Sequence, residues 1–258
     1  MAVFVAAFVA AIVFAACERS TPAPAPAGST AVAGGATADE LLKRMKDRYA
    51  NATSYRDEGF CTLVDRTKSG SSRGGLALDF VTVFDRSKGL CWRTDQRFDG
   101  DSAVHTAVVG SSDFVSFAWS WTMSGEQVKG ATAWAAFKET LGNTGRIAGV
   151  VPALLVPTMD LRHVRLDPTE LDDAARAADE TIDGVACAVI DAHGWMDQDL
   201  RLWIDATGAL HRLRAIREVP ASFGIPAGTN ETMISYKPEF DATIEPEALC
   251  PEGVPAAP

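Results

Sequence analysis

Apolar residues recur along this chain at two different periods, and the change of period divides it. Leu41, Leu42, Met45 and Tyr49 fall at helical spacing, with Lys43, Arg44, Lys46 and Asp47 between them. Thr37-Ala38-Asp39-Glu40 just before them reads as a capping box, with Thr37 as N-cap and Glu40 reaching back. The pattern predicts a helix ending near Asn51, with Tyr49 in the core. From Tyr55 the period becomes two. Phe60–Arg66 reads as a strand and Ser69–Gly75 as a loop. Leu76, Leu78, Phe80, Thr82 and Phe84 then alternate with Ala77, Asp79, Val81 and Val83. Leu90–Thr94 and Ala103–Val109 are further strands. In Val115–Met123, Val115, Phe117, Trp119, Trp121 and Met123 share one face, and small polar residues fill the other. That pattern predicts one strand of an antiparallel sheet, covering something on its aromatic side.

A helix is expected over Ala131–Leu141. Arg146–Pro157 is apolar nearly all round and is interrupted by Pro152, so it is either buried or a lid over an apolar groove. The second half returns to strands: Glu180–Ile182, an Asp183-Gly184 turn, and Ala186–Asp191. A Leu200–Asp205/Leu210–Arg217 hairpin follows, closed by Ala206-Thr207-Gly208, and then Glu231–Lys237. Counting gives about nine or ten antiparallel strands with no βαβ alternation, hence an α+β fold.

Before residue 38 neither period applies. Residues 1–16 are almost wholly apolar and suit a signal peptide, although no Lys or Arg precedes the run. Val13-Phe14-Ala15-Ala16-Cys17 resembles a bacterial lipobox, which makes Cys17 the lipidated residue and the membrane a partner through the anchor. Residues 17–37 are then a lipidated cysteine and a Pro/Ala/Gly-rich tether. Extended, about 20 residues reach roughly 70 Å. A single domain is expected over 38–250, with a flexible tail over 251–258. These features place the protein in the bacterial cell envelope, facing the periplasm, and at the outer membrane rather than the inner.

Composition narrows the partners. The 258 residues carry a net charge of −10, which argues against nucleic acid. Of five cysteines, Cys61, Cys91, Cys187 and Cys250 remain after lipidation of Cys17, an even count that suits two disulfides in an exported chain. Proximity favours Cys61–Cys91 and Cys187–Cys250. One geometry forbids the first pair: strands flanking a third lie roughly 9.5 Å apart. The alternative is buried free thiols. No cysteine or histidine spacing suggests zinc, and no cofactor is implied. His105, His163, His193 and His211 are scattered, and no GxSxG, HExxH or P-loop is present. Asp191 and His193 share a strand face without a nucleophile beside them, and His211 is expected to be exposed. The sequence therefore predicts a protein that is not an enzyme.

The order of pieces resembles the LolA-like superfamily of bacterial lipoprotein carriers. Tyr55-Arg56-Asp57-Glu58-Gly59 resembles its opening, and Phe80–Arg86 the strand that follows. Ile182-Asp183-Gly184-Val185-Ala186-Cys187 with Leu202-Trp203-Ile204-Asp205 resembles its hairpin, and Tyr236–Ile244 its closing strand. The resemblance spans 38–250. It implies a curved antiparallel sheet, an incomplete β-barrel, with helices over its concave face and an apolar pocket between them. It also implies a lipid or lipoprotein acyl chain as partner. A tethered chain cannot leave its membrane, which favours an acceptor, sensor or static binding role over a shuttle. The candidate lining residues are Phe80, Phe117, Trp119, Trp121, Val151, Leu154 and Leu155. The alternative is an interaction domain with a filled core. The sequence leaves the oligomeric state open.

Overall fold

The computed structural model describes residues 35–98, 101–110, 114–119, 123–129, 149–156, 171–194, 197–221 and 226–249; at 73, 74 and from 96 to 129 it describes the backbone alone. Helix α1 (Ala38–Ala50) begins where the capping box predicts. Thr37 Oγ1 accepts from the Glu40 amide, and Glu40 Oε2 accepts from the Thr37 amide at 2.8 Å. Asn51 caps the other end, and Leu41, Leu42, Met45 and Tyr49 are buried.

Thirteen strands follow in one antiparallel sheet: β1 (Ser54–Thr67), β2 (Ser72–Asp85), β3 (Gly89–Phe98), β4 (Asp101–Gly110), β5 (Phe114–Trp119), β6 (Met123–Lys129), β7 (Leu171–Arg176), β8 (Glu180–Ile182), β9 (Val185–Gly194), β10 (Gln198–Asp205), β11 (Leu210–Val219), β12 (Gly228–Ser235) and β13 (Glu239–Phe240). The spatial order is β6-β5-β4-β3-β2-β1-β12-β11-β10-β9-β7, with β13 on β1 and β8 on β9. β6 and β7 end the row without pairing to each other, so the sheet is an open, incomplete barrel. The extra strands over the nine or ten expected are short or lie where the pattern was broken.

Alternation sorts the two faces. Leu78, Phe80 and Phe84 on β2, Leu90 and Trp92 on β3, and Leu200, Leu202 and Ile204 on β10 point into the main core. α1 packs on this concave face with α2 (Val150–Leu155), a six-residue helix whose side chains are all buried. The hydrophobic effect drives this packing, since each core side chain removed from water contributes about 1.5–3 kcal/mol. The opposite face carries two small clusters. Val83 and Cys91 sit with Ile244 and Leu249 from the segment around α3 (Pro246–Leu249), and Cys187, Val189 and Trp203 sit beneath the β8–β9 hairpin. That hairpin turns at Asp183 and Gly184, both with positive φ (50° and 85°), as an Asp-Gly turn of the primed type requires.

Three expectations are corrected. First, the Cys61–Cys91 disulfide is absent. The two cysteines stand on strands that flank β2, in register with Leu78 and Val83, five positions apart along it. They also face opposite ways, Cys61 into the main core and Cys91 into the outer cluster. The separation is about 9.5 Å across and about 17 Å along, beyond the reach of any disulfide. Cys61 and Cys187 are free thiols; Cys250 lies outside the described residues. Second, Val115–Met123 is not one strand. Trp119 pairs with Met123, so the chain reverses between them into the β5–β6 hairpin. Third, His211 is not exposed. Its Nε2 lies 3.0 Å from Asp205 Oδ2, and its side chain is 15% accessible. The expected helix over Ala131–Leu141, the lipidated Cys17 and Trp121 lie outside the described residues.

Candidate functional site

The concave face is organised around Phe80. Its ring lies flat over Gly59, the residue opposite it on β1, where a Cβ would sit 2.0 Å from the ring edge. Only glycine leaves room for that approach. On the other side the ring meets Tyr236 edge-on, with centroids 5.6 Å apart. Next to this pair, Tyr49 of α1, Tyr55 of β1 and Phe240 of β13 form a triangle of rings with centroids 4.9–5.3 Å apart. Such offset and edge contacts add about 0.5–1.5 kcal/mol each beyond area burial.

Among these rings sits a carboxyl. Asp57 is 1% accessible; it accepts from the Tyr55 hydroxyl at 2.8 Å and from the Thr82 amide at 3.1 Å. Burial pushes it up to about 7, against the pull of those hydrogen bonds. Burial likewise drives the Tyr49, Tyr55 and Tyr236 hydroxyls upward, so all three stay neutral. Around Asp57, the hydroxyls of Thr94 and Tyr236 are buried and have no hydrogen-bond partner among the described residues, while the Thr82 hydroxyl faces the Asp57 carboxyl and helps to hold it down. Each such orphan costs about 1–3 kcal/mol.

Arg86, just beyond β2, ties the roof down. Its guanidinium donates to the carbonyls of Tyr49, Ala50 and Ala52 at the end of α1, and to that of Leu155 at the end of α2, at 2.7–3.3 Å. It thereby satisfies carbonyls that helix C-termini leave unpaired, and it sets a cation where both helix dipoles are negative.

Register carries the same face outward. Asp57, Thr82, Trp92, Ala107, Phe117 and Glu126 form one cross-strand row. Phe80, Thr94, His105, Trp119 and Met123 form the next. Directly opposed residues share a face, so positions 117 and 119 lie on the concave side with Phe80. Of the expected lining residues, Phe80 and Val151, Leu154 and Leu155 of α2 come together in the main core, each at most 3% accessible. Asp57, the orphan hydroxyls and Arg86 escaped sequence reading. The available signal was parity: Asp57 lies two residues from Tyr55 and four from Cys61, on the inward side of β1.

A second concavity, about 410 Å³, opens on the outer face of β7, β9, β10 and β11. There Asp191 holds Arg201 with two hydrogen bonds of 2.6 and 2.8 Å, and that arginine keeps the carboxyl below its usual range. His193 Nδ1 lies 3.3 Å from Asp199. No Ser, Thr, Cys or Lys stands among the described lining residues. At the neighbouring β10–β11 turn, burial works to raise Asp205. Hydrogen bonds from His211, Thr207 and the Ala209 amide outweigh it and hold the carboxyl down at about 2. No metal cluster is found among the described residues, and no described helix is long and apolar enough to cross a membrane.

No family model and no curated protein matches the sequence. Among solved structures, the chain is similar to the Mycobacterium tuberculosis lipoprotein LppX, at 11% identity and a TM-score of 0.43, over 80% of this chain and 97% of that one. It is similar to the Pseudomonas aeruginosa MucA/MucB complex at 13% identity and 0.39, over 85% and 63%. It is also similar to a LolA superfamily protein from Nitrosomonas europaea at 8% identity and 0.27, over 82% and 96%. The fold itself is an open antiparallel sheet, led by a helix, with helices on its concave face.

Proposed function

We propose that this chain is a lipid-anchored envelope protein that holds a hydrophobic ligand, an acyl chain of a lipid or lipoprotein, in its half-barrel without chemical conversion. One observation carries the reading. On the concave face, aromatic positions run in register from Phe80 and Trp92 to 117 and 119 on β5, with Thr82, Thr94 and His105 between them, past the strands on which α1 and α2 pack. Rows of that kind offer an acyl chain a line of aromatic side chains to lie along, and each CH₂ buried there contributes about 0.8 kcal/mol. Phe117, Trp119 and Trp121, with Phe80 and the α2 residues Val151, Leu154 and Leu155, are the proposed contacts. In this reading residues 1–16 are removed as a signal, Cys17 carries the lipid, 18–37 are the tether and 38–250 form the binding domain.

The test is titration of the full chain, kept in mild detergent, with a fluorescent fatty-acid methyl ester. The reading expects saturable uptake at one site, weakened at least tenfold by Trp119→Asp. Absence of uptake by the wild type sinks it.

A second reading has its own support. Where side chains are described, the space between the sheet and α1 and α2 is filled: Val151 and Leu155 are wholly buried, and Leu154 nearly so. A core filled throughout would make the chain an interaction domain working through its outer face or an edge strand, β6 or β7. It predicts no uptake and an unaltered melting temperature with added lipid.

A further inference from the structure

An acyl chain held on the concave face brings a head group with it. The residues around Phe80 narrow the choice of head group. Asp57 stands directly opposite Thr82, and Phe80 directly opposite Thr94. Thr82 and Thr94 are therefore on neighbouring rows of one face, about 7–8 Å apart on the diagonal. Tyr236 packs against Phe80 from the other side. Two hydroxyls without partners among the described residues, Thr94 and Tyr236, and the Asp57 carboxyl with the Thr82 hydroxyl facing it thus ring a single aromatic side chain, and all four groups are buried. Native interiors rarely leave one such group unpaired; here two stand beside a buried carboxyl on the face where a ligand would lie.

We propose that Thr82, Thr94 and Tyr236, with Asp57, form a hydrogen-bonding subsite for a neutral oxygen-bearing head, the ester or hydroxyl groups of an acylglycerol-type lipid. The inference rests on the half-barrel reading. The three hydroxyls can donate to an ester carbonyl, and Asp57 can accept from a lipid hydroxyl. The same residues disfavour an anionic head. No Lys, Arg or His stands among the described buried residues, and the titratable groups around Asp57 are all acidic or neutral. They are Tyr49 from α1, Tyr55 and Cys61 from β1, and Tyr236 beyond β12, with Glu58 adding negative charge from the same strand. α2, Val-Val-Pro-Ala-Leu-Leu, brings no charge. A carboxylate or phosphate there would meet repulsion and no counter-ion among the described buried side chains, the basic position in the same row being His105, opposite Thr94.

The experiment is competition against a bound fluorescent fatty-acid methyl ester, a neutral probe, using the full chain at pH 8, with monopalmitoylglycerol and palmitate as rivals of equal chain length. The wild type is expected to release the probe to the ester at a concentration at least about tenfold lower than to the acid, the size of one hydrogen bond to a buried group. Thr94→Val and Thr82→Val, which keep the shape and remove the hydroxyl, should each collapse that preference toward one. Tyr236→Phe gives the same comparison if either valine variant fails to fold. Asp57→Asn should narrow the preference from the other side, by admitting palmitate. If the wild type binds the probe and shows no preference for the ester, or if all the hydroxyl-free variants keep it, the subsite is overturned and the half-barrel reading stands. If the wild type binds no probe, both fall.

Discussion

Replacing Asp57 by Asn isolates the effect of burying one carboxyl. In the folded chain that carboxyl is raised from 3.8 to about 7 by burial. Between those two values the folded protein holds a proton that the unfolded chain releases. The stabilising contribution of the protonated form is therefore complete below about pH 3.8, and it is lost as pH rises through about 7. A span of this width corresponds to about 4 kcal/mol at pH 8. Asn keeps the shape and the acceptor that faces Tyr55 and Thr82 but cannot ionise. Its NH₂ needs a partner of its own, at a cost of about 1–2 kcal/mol. The variant should accordingly be about 2–3 kcal/mol more stable than the wild type at pH 8, and no more stable, or slightly less so, at pH 4. Urea unfolding of both proteins at pH 4, 6 and 8, followed by tryptophan fluorescence, reads the difference directly. Carboxylates such as Asp205, held at about 2, lose their contribution below this window and cancel between the two proteins. A difference that stays flat within about 1 kcal/mol from pH 4 to pH 8 would refute the buried-charge argument.

Other perturbations test the frame. Arg86→Ala removes the cation shared by the ends of α1 and α2 and should cost about 2–4 kcal/mol in urea unfolding. Arg86→Lys should recover less than half of that, because a point charge cannot serve carbonyls from both helices. Hydrogen exchange should speed up most at Val150–Leu155. Gly59→Ala forces the Phe80 ring off its seat and should lower the melting temperature by several degrees, with near-ultraviolet circular dichroism reporting the lost ring packing. Cys61, its thiol pushed up to about 12 by burial, should resist iodoacetamide at pH 8 in the folded chain. In urea without reductant, Cys61 and Cys91 should both be alkylated; failure of both to react would restore the disulfide.

Local chemistry made part of this fold legible in the sequence. The Thr37/Glu40 box marks the start of α1, and Asp183-Gly184 marks the β8–β9 turn, because each motif satisfies its own backbone within a few residues. Period-two alternation predicted β2 and its inward row, and the burial of Leu78, Phe80, Thr82 and Phe84 follows it. Alternation misled where it ran unbroken across a chain reversal. Trp119 and Met123 keep the parity of one strand although they face each other on two, and no Gly, Pro or Asn stands between them. The cysteine pairing failed because nearness in sequence ignored face: β2 lies between Cys61 and Cys91, and the two side chains point apart. Arg86 left no local trace, since its partners come from two helices distant in sequence. The candidate site was read through its aromatic residues, whereas its polar half, Asp57 with Thr82, Thr94 and Tyr236, becomes visible only when register brings three strands and the Tyr236 turn together.

The claim that the half-barrel holds a lipid is tested most directly by native mass spectrometry of the full chain, expressed in a bacterial envelope and extracted in mild detergent. The account predicts a bound mass of one acylglycerol, phospholipid or acylated peptide, retained through gentle activation and lost with Trp119→Asp. A bare protein mass under the same conditions, from a chain that unfolds cooperatively, would contradict it and leave a filled interaction domain in its place.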